Sequence, residues 1–269
     1  MPDRVDLLPG EIRRRLETRV FGRRIYYLPE VDSTNRLAVD LARAGEAHGS
    51  LVVADHQTGG RGRRQRRWES PPGRNLLFSL ILRPEESAWE VLALTLAFSM
   101  GNARALSEIV SKVVGVKWPN DVEVEGKKIA GTLSEGSSRG GRTTFLVVGT
   151  GVNVNVRIDE LAVEFRDRSC SCYTLTGREW DRSDVLARIL LYLERSYDEF
   201  LREGFGSMAG RYKKMLRILG KRVRFERRGE VTWGTVLDVG SDGGLVVDTP
   251  DGRLTLYEEE VGAVREEAQ

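Results

Sequence analysis

Histidine and cysteine are the scarcest reactive side chains in this 269-residue chain, with two of each. His48 and His56 are too few to build a histidine metal centre. Cys170 and Cys172 are separated by one residue, and no second pair exists to complete a zinc site or a disulfide framework. That usage points to a reducing compartment. Long apolar runs are also missing. Charges interrupt every apolar stretch before it reaches the roughly 20 residues of a membrane span. The opening MPDRVDLLPGEIRRR lacks the apolar stretch of a signal peptide, so the expected location is cytoplasmic. Nor is there an excess of one charge: 42 Lys+Arg against 40 Asp+Glu leave a net charge of +2. A protein whose main task is to grip duplex DNA usually carries a larger basic surplus. What is present is a 40% hydrophobic composition, enough for a substantial core with a small second domain.

Hydrophobic periodicity predicts a short basic helix over Glu11–Arg19, a strand over Arg24–Val31 and a helix from Asp32 or Ser33 to Ala44, closed by Gly45. Short strands are expected over Leu51–Asp55 and Asn75–Leu82, and a long apolar helix over Glu90–Val110. Val113–Trp118, Val122–Val124 and Lys128–Leu133 read as strands, the last two joined by a turn at Glu125–Lys127. A turn over Ser138–Arg142 leads into a long strand over Thr144–Val156. Helices are then expected over Arg182–Arg202 and about Ser207–Leu216. From Gly220 onward, short apolar runs separated by Gly- and Asp-rich turns predict a small β-barrel. The expected fold is α+β, with one domain over 1–219 and a second over 220–269.

Four segments carry candidate chemistry. QTGGRGRRQRRW (Gln57–Trp68) sets glycines, which let backbone N–H groups approach anionic oxygens, among five arginines. Read alone, it is equally a basic surface loop. KWPNDVEVEGKKIAG (Lys117–Gly131) places Lys127 and Lys128 side by side on a strand, where they should face opposite ways, with Asp121 either orienting a lysine or capping a turn. DSTN (Asp32–Asn35) is locally an ordinary helix cap. GTGVNVN (Gly149–Asn155) is locally a strand with a glycine bulge, although Asn153 and Asn155 on one strand face would call for a polar partner.

The order of these four segments over about Arg24–Val156 resembles the catalytic core of biotin protein ligases, and the small C-terminal β-domain fits the same family. The resemblance implies a mixed sheet related to class II aminoacyl-tRNA synthetases. It implies that biotin is activated by ATP to biotinyl-adenylate and passed to a lysine of a biotin carboxyl carrier domain, with Mg²⁺ accompanying ATP through unassigned ligands. By the same resemblance Ser33, Thr34 and Asn35 line the biotin ring pocket, Gln57 contacts biotin and Gly131 lies against it. Gly60, Arg61, Gly62 and Arg63 cover the biotin chain and the adenylate phosphate. Lys128 meets the carboxylate and α-phosphate, with Arg61 and Arg63 as further catalytic groups. Trp68, Asn120, Asp121 and Asn153 belong to the nucleotide side.

Three departures from the family pattern stand out. Gln65 replaces a glycine in the arginine loop, Thr132 replaces an aliphatic residue after Gly131, and little chain precedes DSTN to hold a DNA-binding winged helix. No specific DNA binding and no membrane association are therefore expected, and a homodimer is one arrangement the sequence leaves open. Two alternatives remain at this point: a lipoate or octanoate ligase of the same superfold, and a biotin-sensing nucleic-acid-binding repressor. The arginine loop is expected to be mobile without an anion, since Trp68 is nearly its only apolar anchor.

Overall fold

Residues that alternate between apolar and polar neighbours build two separate sheets, and the longer apolar segments build the helices that cover the larger one. The structure, a computed structural model, describes residues 7–83, 91–139, 142–227, 229–258, 260–262 and 264–266. The elements run α1 (Pro9–Arg15), β1 (Ile25–Val31), α2 (Thr34–Arg43), β2 (Leu51–Gln57), β3 (Leu76–Leu82), α3 (Val91–Val110), β4 (Gly115–Lys117), β5 (Asp121–Val124), β6 (Lys127–Arg139) and β7 (Arg142–Val152). They continue with α4 (Val163–Arg166), α5 (Cys172–Thr176), α6 (Arg182–Met215), β8 (Arg222–Arg227), β9 (Glu230–Val239), β10 (Leu245–Thr249), β11 (Gly252–Leu256) and β12 (Arg265–Glu266).

The first seven strands form one sheet in the order β1-β2-β3-β7-β6-β5-β4. Only β1 and β2 are parallel, joined by the α2 crossover, so the sheet is mixed. Strand alternation gives it two different faces. Leu76, Phe78, Leu80 and Leu82 of β3 and Leu146 and Val148 of β7 join the main core, to which the buried flank of α3 and the apolar side of α6 also belong. Their neighbours Ile81, Phe145 and Val147 turn the other way, into a smaller cluster with Ala38 and Ala42 of α2. α2 covers only part of that second face, and the remainder is where the polar segments converge.

The last five strands form an antiparallel sheet in the order β11-β10-β9-β8-β12. Its apolar residues, among them Val223, Phe225, Val236 and Leu245, belong to the same core cluster as the first sheet. The two sheets meet where Trp118 Nε1 donates to the Gly243 carbonyl (2.9 Å) and where Gly243 packs against Leu92, Ala93 and Leu96 of α3.

Several elements differ from expectation. The long strand ends at Val152, so Asn153 and Asn155 lie beyond it. The two helices expected after Arg182 are both present, although they run on without a loop and meet within α6 at a kink at Gly204 (φ 69°). The short helix α5 was not anticipated, although Ser171 and Thr174 cap it reciprocally and Gly177 closes it at φ 73°. Glu90 and part of the expected turn over Ser138–Arg142 fall outside the described residues. No helix among the described residues is long and apolar enough to cross a membrane.

Candidate active site

Three glycines leave the middle of the larger sheet bare. Across the central strands Leu77, Gly151 and Gly131 form one row, and Ser79, Gly149 and Leu133 form another on the same face. Each glycine has a side chain packed so close that a Cβ would crowd or collide with it. At Gly149 a Cβ would fall 1.9 Å from Asn35 Oδ1. At Gly151 it would fall 2.5 Å from the Trp68 ring, and at Gly131 it would fall 3.0 Å from Lys128 Nζ. Gly149 and Gly151 sit in a regular ladder, so the bulge expected there is absent; these glycines make room rather than a kink. Above this floor is a cleft of about 810 Å³. It is lined by Ser33, Thr34, Asn35, Gln57, Arg61, Gly62, Arg63, Trp68, Asn120, Asp121, Lys128, Gly131 and Asn153, so of the candidates only Gly60 stands behind its wall.

At one end the start of α2 is held by a neighbouring strand. Ser33 occupies the cap position but its side chain makes no capping bond. Instead Gln57 Oε1 accepts from Thr34 N (2.7 Å) and Thr34 Oγ1 (2.9 Å). Asn35 Nδ2 donates to Glu135 Oε2 (2.7 Å), and Asn35 Oδ1 accepts from Ser79 Oγ (2.6 Å). This end therefore presents a polar cluster next to a bare sheet.

At the other end stands Lys128. A register shift between Val122 and Glu123 leaves Ile129 without a partner in the β5–β6 ladder, and Ile129 and Ala130 both enter the core. Such an extra residue re-aims its neighbours, and it brings Lys128 to the same side as Gly131. Lys128 Nζ lies 2.5 Å from Asp121 Oδ1 and 5.2 Å from the Trp68 ring centre. Lys127 is exposed and outside the cleft. The backbone of Lys128 is clamped by a segment the sequence did not flag: its N–H donates to the Arg168 carbonyl (2.8 Å), and its carbonyl accepts from Cys170 N (2.9 Å). Burial pushes the Cys170 and Cys172 thiols up to about 12, so both are neutral packing groups.

The arginine loop folds back on itself. Gly62 N donates to the Arg66 carbonyl (2.7 Å) and Trp68 N to the Gly60 carbonyl (3.0 Å), making a small hairpin with a tight turn over Arg63–Gln65. The left-handed residue is Arg64 (φ 53°), not Gln65, so the turn does not require glycine at 65. Arg63 ion-pairs with Glu258 and donates through Nη2 to its carbonyl (3.1 Å), tying the tip to the second sheet. Burial pulls the Arg63 pKa below the ordinary guanidinium value, opposed by the charges of Glu258 and Asp121. Among the described residues Arg61, Arg66 and Arg67 have no carboxylate partner.

Some candidates turn out to be committed to the protein. Asn153 donates to the Cys170 carbonyl (3.0 Å) and faces Asn75 (3.4 Å), while Asn155 clasps the Trp180 backbone from both amide atoms. The polar partner those asparagines called for is the chain itself. Asn120 Nδ2 donates to the Thr132 carbonyl (2.7 Å), which locks β5 to β6, and Thr132 Oγ1 accepts from Asn102 of α3 (3.1 Å), away from the cleft. Cleft residues the sequence did not single out include Arg168, Ser169 and Arg265, and Glu135 and Ser79 stand behind them as partners of Asn35. No group of three or more metal-ligating side chains occurs among the described residues.

Comparison with known proteins accounts for this arrangement. Residues 27–153 match the model of the Biotin/lipoate A/B protein ligase family, and residues 218–261 match the Biotin protein ligase C terminal domain. The chain is 31% identical over 255 residues to the Bifunctional ligase/repressor BirA of Bacillus subtilis, covering 95% of this chain and 78% of that protein. It is 30% identical to the Biotin--[acetyl-CoA-carboxylase] ligase of Paracoccus denitrificans, covering 87% of this chain and 98% of that one. Among solved structures, the biotin protein ligase from Aquifex aeolicus in complex with biotin and ATP matches with a TM-score of 0.80 and 32% identity, covering 91% of this chain and 100% of that one.

Proposed function

Because the chain belongs to the biotin/lipoate A/B protein ligase family, we infer that this cleft is the active site of a biotin protein ligase, which uses ATP to attach biotin to a carrier protein. The observation that carries the reading is the glycine-floored trough. It runs from a polar head at Thr34, Asn35 and Gln57 to a lysine at Lys128. Biotin has that layout: a polar ureido ring, an apolar chain that needs a smooth floor, and a carboxylate at the far end.

In the first step a biotin carboxylate oxygen attacks the ATP α-phosphorus, the bond to the β-phosphate oxygen breaks, and pyrophosphate leaves. Two anions must approach each other. The Lys128 ammonium, the Arg61 guanidinium and the loop N–H groups offset that repulsion and stabilise charge gathering at phosphorus. Asp121 holds Lys128 in place beforehand and yields it to the incoming anions. The Trp68 ring rests on Gly151, where the apolar chain would lie; lifted from that floor by the chain, it would cover it and keep water from the mixed anhydride. In the second step the amine of a carrier lysine attacks the acyl carbon and AMP leaves. The carrier fits the class of biotin carboxyl carrier domains.

Mg²⁺ would enter with ATP. It characteristically takes one or two carboxylates alongside phosphate oxygens and water, and Asp121 is the carboxylate beside Lys128 able to serve. The mixed sheet backed by α3 and α6 agrees with a class II synthetase-like catalytic domain over 1–219. In the second domain, 220–269, a register shift at Val246–Val247 and the tight contacts of Gly234 favour a sheet coiled toward a small barrel.

The test is pyrophosphate release by the purified protein with ATP and one acid at a time. Biotin is expected to drive release at concentrations where lipoate and octanoate do not. Release with lipoate or octanoate but not biotin would reassign the chain to the other branch of the family.

A further inference from the structure

The arginine loop hangs from a fork in the larger sheet, and a residue outside the cleft spans that fork. β2 and β3 pair from Leu51 opposite Leu80 to Ala54 opposite Leu77. Beyond that point β2 runs on to Gln57 paired with β1, while the chain returns to β3 through Arg74 and Asn75. The two stems have therefore parted before the loop begins. Arg182, the first residue of α6, is buried behind them, with 2% of its side chain exposed. Its guanidinium ion-pairs with Asp55 Oδ1 on one stem (2.7 Å), and its Nη1 donates to the Asn75 carbonyl on the other (3.2 Å). Asp55 also accepts from Tyr27 Oη of β1, and its carbonyl accepts from Gly73 N (3.2 Å). Asn75 Oδ1 accepts in turn from Val154 N (3.0 Å). Each stem is thus tied to the body of the domain, and Arg182 joins one to the other.

A cation is costly in this place. It gives up water, and it stands at the positive end of a helix dipole, just after Asp181 caps α6 by accepting from Ser183 N (2.8 Å). An apolar side chain would pack α6 on the sheet without either cost. What a planar guanidinium adds is a grip in two directions at a fixed spacing. Holding two strands at a set width needs that property. We propose that Arg182 is a positioning residue for the reaction: it sets the width and direction of the fork, so that the loop holds Arg61 and Trp68 over the adenylate until the carrier lysine arrives. The inference rests on the biotin ligase reading, and adds a part that touches neither substrate.

The experiment uses the full chain with Arg182→Lys and with the double substitution Arg182→Met and Asp55→Asn. Arg182→Lys keeps the charge facing Asp55 but loses the planar grip on both stems. The double substitution removes both charges together, so no ion is left buried alone, and Asp55→Asn keeps an acceptor for Tyr27. Adenylate made from biotin and ATP is followed on the enzyme without carrier, and timed trypsin digests are run with and without the two ligands. Both variants are expected to lose bound adenylate about tenfold faster than the parent, the scale of one directed hydrogen bond. Both should also be cut faster at Arg66 and Arg67, with no change at the exposed Arg253 of the second sheet. Variants that melt lower yet keep the parent's adenylate lifetime and the parent's cutting at Arg66 and Arg67 overturn the proposal and leave Arg182 as a staple of α6. Faster cutting at all three arginines alike overturns it too, because that is general loosening. A parent that makes no adenylate from biotin overturns the functional reading instead, and the ligand-free digests, which need no adenylate, still decide the clamp.

Discussion

Lys127 and Lys128 are identical in chemistry, and the unpaired residue at Ile129 sends them to different surroundings. Lys128 meets Asp121 and Trp68 inside the cleft, whereas Lys127 stands in solvent. Adjacency in the sequence already implied that the two face apart, but not which one faces inward; that depends on a register shift no local pattern announces. Lys128→Ala is expected to slow adenylate formation by ~10²–10³-fold, the usual cost of losing one charged contact to a developing anion. Lys127→Ala should stay within about twofold of the parent, as exposed substitutions generally do. Rapid-quench measurement of biotinyl-adenylate in both variants checks this, and equal losses would remove Lys128 from the chemistry.

At the scale of the element, the loop from Gln57 to Gly73 shows how much composition can hide. Its arginines and glycines suggest a loose strand of charge with little to hold it. The structure instead supplies three holds: backbone bonds across the small hairpin, the Trp68 ring on Gly151, and Arg63 on Glu258. The last two are distant partners, 83 and 195 positions away in numbering, which is why the sequence could not declare them. The same reason separates what was legible elsewhere. The DSTN segment announced a helix start, yet the capping group is Gln57 from the next strand. The pair Gly149 and Gly151 announced something unusual, but whether a glycine bends a strand or vacates space depends on what lies over it. Asn153 and Asn155 announced a polar partner, and the partner was the neighbouring backbone. Local signals located the site; non-local contacts assigned the parts. For the loop itself, the exposed Arg66 and Arg67 should be the first trypsin sites, with Arg63 shielded. Biotin with ATP should slow those cuts, because a phosphate adds the anion the unpaired guanidinium groups lack. Mass spectrometry of timed digests reads this directly, and cleavage indifferent to the ligands would mean the loop is not the cover of the cleft.

At the scale of the whole molecule, the question is whether the second sheet is a passenger or part of the machine. Its contacts argue for the latter. The Gly240–Gly244 turn sets its Gly243 carbonyl on the Trp118 indole, two residues before Asn120 and three before Asp121. Asp242 holds that turn from within, accepting from Gly244 N (3.0 Å) and from Tyr257 Oη, and the Tyr257 bond lowers the Asp242 pKa. Next to Tyr257 stands Glu258, which grips Arg63. One small sheet thus touches both sides of the cleft, the Trp118 turn that leads into Asp121 and the tip of the arginine loop. Gly243 is the weak point of this joint. It adopts φ 86°, and a Cβ there would meet Leu96, Leu92 and the Ala93 backbone at 3.1–3.3 Å. A β-branched residue would suffer both the left-handed conformation, roughly 1–2 kcal/mol, and displacement from α3. Gly243→Val is therefore expected to lift the second sheet from the first while each keeps its own strands. Circular dichroism should stay near the parent spectrum, the melting temperature should fall by several degrees, on the order expected for 1–2 kcal/mol, and adenylate formation should drop by more than the stability loss explains. A variant that melts lower yet forms adenylate at the parent rate would show that the second sheet only stabilises the first and has no part in arranging Trp118, Asp121 and Arg63 around the cleft.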